Sequence, residues 1–357
     1  MAASWRELRN KARAYWLVGL KRRSLRRGAT LRELVEQLYE EREECTEYCL
    51  ERLCYDFVNA WWRRHGRAPH GLLAEAAGLP EPSLALLHSG LGMALSRRLL
   101  RPLGAGCPPT ELAARLCRFL ELVRENSQRP FAPVAVEAAG LIVRMFLPRL
   151  RFGVAHWMRS AGEDLEGLYW HGVGRGTYFI PATSLPRPGA LRFALALCRR
   201  EPPDDANRLH ALAGLAFAVA MINWHQPVLI ERLFGLLGER EEAAPHDEAE
   251  AFASGVAACV LARRATLAAA TPPPPLLRYA PPAAAGPRRI ERWESRVRRP
   301  CAAILEQVYP PLAARRELAC FASFLPLAPL LAGALPQQAA AQERPPEAAP
   351  GLPTALL

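Results

Sequence analysis

Three hundred and fifty-seven residues, half of them apolar, are enough for one large or two ordinary domains with a buried core. Aromatics at 8%, with prolines and glycines gathered between apolar blocks and in the tail and no Gly-X-Y period, exclude a collagen-like or wholly low-complexity chain. The net charge of +11 is weaker evidence, because 44 of the 46 basic residues are arginine and Ala, Leu, Pro and Gly are inflated beside it, the mark of GC-rich coding in a high-GC bacterium or a large DNA virus.

Nine thinly spread cysteines, an odd number, suit reduced thiols. The basic N-terminus lacks an uninterrupted apolar stretch before a cleavage site, so the expectation is an intracellular protein, nuclear or cytoplasmic.

Residues 1–29 read as a basic arm. Arg6, Arg9, Arg13, Lys21, Arg22, Arg23, Arg26 and Arg27, with Lys11, stand against the single acid Glu7. Trp5, Leu8, Ala12, Tyr15, Trp16 and Leu20 fall near helical spacing among them, which suits an amphipathic helix on a nucleic acid or an acidic membrane surface. A solvated basic helix end is the plain alternative.

Residues 30–172 read as a helical bundle. Thr30 and Glu33 form a capping-box pattern. Leu31, Leu34, Leu38, Cys45, Cys49, Leu53, Phe57 and Trp61 then make a 3.6-residue stripe, one long helix over 31–64 or two joined near Arg42. His65-Gly66 and Pro69 stop it. Leu84, Leu87, Leu91, Leu95 and Leu99 keep helical spacing around Gly90 and Gly92. Pro108-Pro109-Thr110 opens a helix whose Leu112, Leu116, Phe119, Leu120 and Val123 share a face. Residues 133–147 are apolar except for Glu137 and Arg144, the pattern of a helix buried all round and hence central, and a short helix follows over 152–161.

Glycines recur from Gly172 to Gly189 around Thr177-Tyr178-Phe179-Ile180, so residues 173–188 read as a connector with room for a small hairpin. A second helical segment spans 189–270, with helices over 190–199, from Asp205 as cap to Trp224, over 227–237, and over 247–269. Residues 271–288 form a Pro/Ala linker, 289–336 hold C-terminal helices over 288–309 and 312–325, and 337–357 read as a disordered tail. The expected class is all-α, a multi-helix bundle of about eight to eleven helices around a central buried one.

Little in the chain suggests catalysis. Gly172-Val173-Gly174-Arg175-Gly176 lacks the Lys-Ser/Thr ending of a phosphate-cradling loop and reads as a surface turn. Cys45, Cys49 and Cys54 with His65 and His70 offer thiols and imidazoles, but Cys45 and Cys49 lie on the apolar stripe and read as buried thiols. No serine elbow and no isolated carboxylate pair is present, so no catalytic residue, cofactor or metal is expected. The chain from Leu318 to Pro336 carries no charge behind Arg315-Arg316 and is long enough to span a bilayer, but Pro326 and Pro329 favour a core helix and tail. The charge-free run from Leu209 to Ile230 reads as a buried helix pair broken at Pro227.

One cluster points to a family. His156-Trp157-Met158-Arg159-Ser160-Ala161-Gly162, followed by Leu165 and Leu168-Tyr169, resembles the second homology region of the B-cell lymphoma (Bcl) family of apoptosis regulators. Cys45 to Gly66 is similar to that family's first helix, 133–147 to part of its central hairpin, and Leu87 to Arg98 to its third homology region, with Leu91 where an aspartate normally stands. Asn126-Ser127-Gln128-Arg129 occupies the place of the first region's Asn-Trp-Gly-Arg. The resemblance covers residues 31–172. It implies a hydrophobic groove, walled by Phe119, Leu120, Val123, Met145, Phe146 and Trp157, that takes an amphipathic partner helix through anchors at i, i+3, i+4 and i+7. The expectation is a non-enzymatic interaction protein; the rival is a basic nuclear regulator that binds nucleic acid through residues 1–28.

Overall fold

A computed structural model of the protein describes residues 2–24, 29–40, 46–75, 78–104, 106–184, 189–238, 246–266 and 274–334. The described chain is all-α and contains no strand. Helix α1 (Ala2–Ser24) leads into α2 (Leu31–Glu40), α3 (Thr46–His65), α4 (Leu84–Leu100), α5 (Pro109–Asn126), α6 (Ala132–Phe146), α7 (Arg151–Ala161) and α8 (Glu163–Thr177). A single turn α9 (Pro181–Ser184) precedes α10 (Ala190–Arg200), α11 (Asp205–Ile222), α12 (Pro227–Gly238) and α13 (His246–Thr266).

The expected hairpin and connector over 173–188 is corrected: Gly172–Thr177 are the last turns of α8, α9 follows, and 185–188 lie outside the described residues. Glycines usually weaken a helix, by about 1 kcal/mol each relative to alanine. Here they are placed where neighbouring backbones come close. A Cβ on Gly172 would lie 1.9 Å from the Glu137 carbonyl oxygen, and one on Gly174 2.0 Å from that of Ala211.

The same device orders the whole bundle. Helix α3 packs on α4, α4 on α6, α6 on α8, α8 on α11 and α11 on α13. Glycines notch each of these contacts. Gly90 abuts the Glu51 carbonyl, Gly92 that of Ala135, Gly140 that of Tyr169, Gly214 that of His171 and Gly255 that of Ala213, each within about 2 Å of where a Cβ would stand. At the centre, every residue of α6 from Ala135 to Arg144 is buried, Glu137 and Arg144 included, as the composition of 133–147 requires. One apolar cluster gathers residues between Leu31 and Val173, a second those between Tyr178 and Leu330, and α8 runs between them.

Local signals behave as their chemistry dictates. The Thr30–Glu33 capping box is formed in both directions. Helices α2 and α3 stand either side of residues 41–45, which are outside the described residues, as is Cys45. At α11 the cap is Asp204 rather than Asp205, its side chain accepting the Asn207 N–H at 2.9 Å.

The expected linker over 271–288 is corrected in its described part: α14 (Pro275–Arg278) falls inside it and buries Leu276, and the C-terminal helices join into one rod over 287–315. The rod comprises α15 (Pro287–Trp293), α16 (Arg299–Ala303) and α17 (Tyr309–Arg315), linked by π-helical segments Glu294–Arg298 and Ile304–Val308. Each widened segment lies just before a proline, Pro300 or Pro310. A proline lacks the N–H and crowds the carbonyl four residues back, and widening relieves both defects without ending the helix. Arg316, in the left-handed region at φ 62°, ends the rod.

The charge-free stretch after it folds as a 3-10 turn (Leu318–Ala322) and α18 (Leu327–Leu331). Among the described residues no single helix is long and apolar enough to cross a membrane. One pair passes by length and composition, 129–146 with 148–161, but it is bent by 117° and its first member contains the wrapped α6. The expected disordered tail over 337–357 lies outside the described residues.

Candidate functional site

The two charges that interrupt α6 need partners in a place without water. Arg144 donates to Glu201 at 2.9 Å. Glu137, 1% exposed, takes the Nδ1 of His171 at 3.0 Å on Oε1 and the Nη1 of Arg175 at 2.7 Å on Oε2. Both partners come from α8, four residues apart and so on one helical face. Arg175 reaches on with Nη2 to Glu51 Oε1 of α3 at 2.9 Å, and the Ser89 hydroxyl of α4 donates to the same oxygen. Three helices are thus tied through one guanidinium, and α4 joins them through the Glu51 carboxylate. Burial alone would push the Glu137 carboxyl up, but the Arg175 guanidinium and the His171 hydrogen bond outweigh it and hold the group below the ordinary carboxylate range. The His171 Nε2 has no hydrogen-bond partner in the protein.

This charged wall separates two apolar chambers. The first, about 290 Å³, lies under α13 and the C-terminal segment and is lined by Leu86, Phe131, Leu261 and Phe321, with Ser89, Glu137 and His171 on its polar side. The second, about 180 Å³, is lined by Met93, Met145, Phe146 and Ile222, with Tyr15 of α1 beside them. Glu51, Arg175, Phe217 and Met221 line both. Chemically the wall offers ion pairs already made and one imidazole nitrogen not yet used. Among the described hydrogen bonds Ser89 is committed to Glu51 and not to His171, so the two form no nucleophile–base pair.

Helix α1 lies against the body at the second chamber, and its described side chains make polar and ring contacts there. Lys11 is buried and donates to the carbonyls of Tyr178 and Thr183, both at 2.9 Å. Its ammonium sits 3.6 Å from the Tyr178 ring centroid and 3.4 Å from Glu7. Burial pulls this ammonium down to about 8 despite Glu7. Asn10 donates to Asn223 at 2.9 Å, and Tyr15 meets Phe179 edge-on at 6.5 Å.

The expected anion-binding residues divide. Arg6, Arg9 and Arg13 are exposed on α1, beside Trp5 and Trp16 at 57% and 63% exposure. Lys21, Arg22 and Arg23 belong to the last turns of α1, but their side chains, like Arg26 and Arg27 altogether, lie outside the described residues.

The six expected groove residues divide as well. Met145 and Phe146 line the second chamber together. Phe119 and Val123 are buried in the first apolar cluster, and Leu120 and Trp157 pack half-buried against it, so these four do not share that lining. Cys49 and Cys54 are buried, burial pushing the Cys54 thiol well up, while His65 is exposed and stacked on Trp61 at 4.1 Å. No group of three His, Cys, Asp or Glu side chains among the described residues could hold a metal ion. The Gly172–Gly176 run serves helix packing rather than a surface turn, with its Arg175 in the buried wall.

Sequence reasoning passed over Glu51, Glu137, His171, Arg175 and Lys11 as site residues. The signals were present: a lone carboxylate in an otherwise apolar helix, an imidazole and a guanidinium at i, i+4, and Glu7–Lys11 at the same spacing.

No family model matches the chain, and no curated protein or solved structure matches it either.

Proposed function

We propose that this chain is a non-enzymatic helical interaction protein that accepts an amphipathic helix of a partner at the chamber lined by Met145 and Phe146, as its resemblance to the Bcl family implies. The observation that carries the reading is that a helix already lies there. The chain's own α1 covers this chamber through a few polar hooks, Lys11 and Asn10 foremost, and leaves an apolar void beneath Tyr15. A partner helix that reproduces these hydrogen bonds and fills the void would compete with α1 for the same place. Three methionines, Met93, Met145 and Met221, line the void, and such flexible side chains adapt to differing partner faces.

The test removes residues 1–28 and titrates the truncated protein with two labelled peptides, residues 2–24 of this chain and a third-homology-region helix of a Bcl-family protein. Saturable binding of both, mutual competition, and loss of both on Met145→Asp are the expected results. Binding of neither peptide by a truncated protein that keeps its helical circular dichroism refutes the reading.

A second reading rests on the other face of α1. Arg6, Arg9 and Arg13 with exposed Trp5 and Trp16 suit phosphate contact and base stacking. On this reading the full chain retains single-stranded RNA or duplex DNA with an affinity that falls steeply with salt, and deletion of residues 1–28 abolishes it. Binding that survives the deletion excludes it.

A further inference from the structure

The first chamber carries a buried polar atom without a hydrogen-bond partner among the described residues. The His171 side chain, in a residue 2% exposed, lines this chamber but not the second. Its Nδ1 donates to the Glu137 carboxylate, which holds the ring in place. The two ring nitrogens point apart, so Nε2 faces away from Glu137 and is left for the chamber. A buried nitrogen of this kind is costly until something pairs with it.

The hydroxyls of the lining are committed elsewhere. Ser89 gives its own to Glu51, and Thr266 donates to the Ala262 carbonyl at 2.7 Å. Leu86, Phe131, Leu261 and Phe321 make the wall apolar, and Phe217 stands edge-on to the His171 ring at 6.2 Å. At the outer end Glu81 and Arg316, both half exposed, pair at 2.7 Å. A surface pair of this kind parts at little cost and leaves a way in.

Volume and charge narrow what fits. The chamber's 290 Å³ is roughly twice the apolar cavity of about 150 Å³ that takes benzene, which sets the occupant at about ten to twelve heavy atoms. Glu51 and Glu137 already set two carboxylates against the Arg175 guanidinium, so an anionic head would bring a third negative charge to the same wall. Nε2 offers a lone pair when the imidazole is neutral and an N–H when it is charged. A hydroxyl both donates and accepts and so suits either form, whereas a carbonyl or an ether suits one.

We propose that the first chamber binds a small, uncharged apolar alcohol or phenol whose hydroxyl pairs with His171 Nε2. The proposal is independent of helix binding at α1.

Titration calorimetry of the full chain with para-propylphenol and octanol in separate arms tests it. Saturable binding of at least one at a single site is expected, and the tighter of the two assigns the ligand class. Propylbenzene, which lacks the hydroxyl, should bind at least about fivefold more weakly than the phenol. Hydrophobicity alone ranks the two the other way, so the order reads the hydrogen bond. His171→Phe should abolish the preference for the phenol, and Ala262→Phe, which fills the chamber, should abolish binding of both compounds. A thermal melt confirms that each variant is folded; if His171→Phe is not, the ligand series and Ala262→Phe still decide. Absence of binding by phenol and alcohol at millimolar concentration overturns the proposal. Propylbenzene binding as tightly as the phenol, para-propylbenzoate binding more tightly, or full binding by folded Ala262→Phe overturns it as well.

Discussion

Arg175 holds together carboxylates from two other helices, Glu51 and Glu137, and that position sets the consequence of losing it. Arg175→Ala leaves Glu137 charged and buried beside an imidazole alone, and should lower stability by about 3–5 kcal/mol, read from urea midpoints. Adding Glu137→Gln to that variant should recover part of the loss, since the uncompensated charge goes with it. Two histidines set the response to acid. The Gln128 N–H can only donate, so His88 Nε2 is an acceptor and its Nδ1–H donates to the Leu84 carbonyl at 2.7 Å. His210 Nδ1 likewise accepts the Phe324 N–H at 3.0 Å. Burial, reinforced for His88 by Arg316 and for His210 by His171, lowers both from 6.5 to about 4. The folded state therefore binds fewer protons than the unfolded one between those values. Stability is complete above 6.5 and falls as pH drops toward 4, by up to about 1.4 kcal/mol per pH unit for each histidine. Urea midpoints at pH 7.5 and 5 should diverge in the native chain and converge in His88→Gln/His210→Gln; parallel midpoints in both proteins would falsify this assignment.

At the scale of elements, glycine placement decides which helices touch. Gly172→Ala in α8 drives a methyl against the α6 backbone, which has no flexible end to yield, and should cost about 3 kcal/mol or more. Gly153→Ala in α7 meets only the Leu112 Cδ2 at 3.0 Å, a side-chain tip, and should instead stabilise by up to about 1 kcal/mol through helix propensity. Thermal melts of the two variants, moving in opposite directions, are the check. The same positions explain what was legible. The 3.6-residue stripes and the capping box at Thr30 depend on neighbours a few residues away, so they could be read directly. Gly172 to Gly176 could not, because a glycine needed for a turn and one needed for close helix approach look alike until the partner backbone is known. In the candidate site, the lone Glu137 was visible, but Glu51 and Ser89 come from α3 and α4, and no local pattern predicts that meeting.

Over the whole molecule, α8 gives one face to α6 and another to α11, so both apolar clusters depend on it. The expected consequence is a single cooperative unfolding transition, with tryptophan fluorescence and far-UV circular dichroism changing together in denaturant. The tryptophans sample both sides of α8, Trp170 in the first cluster and Trp224 and Trp293 in the second. Two separated transitions would mean that the clusters are independent domains.

Composition and periodicity alone determined that this protein is helical, that 133–147 carries a helix buried all round over 135–144, and that α2, α5 and the α11–α12 break fall where they do. These follow from interactions within a few residues and from the cost of exposing apolar surface. Only the tertiary structure decided that Glu137, His171, Arg175 and Glu51 form one wall and that α1 lies on the body through Lys11. Each depends on which side chains meet across separations of 34 to 172 residues, and close packing of helix backbones fixes that.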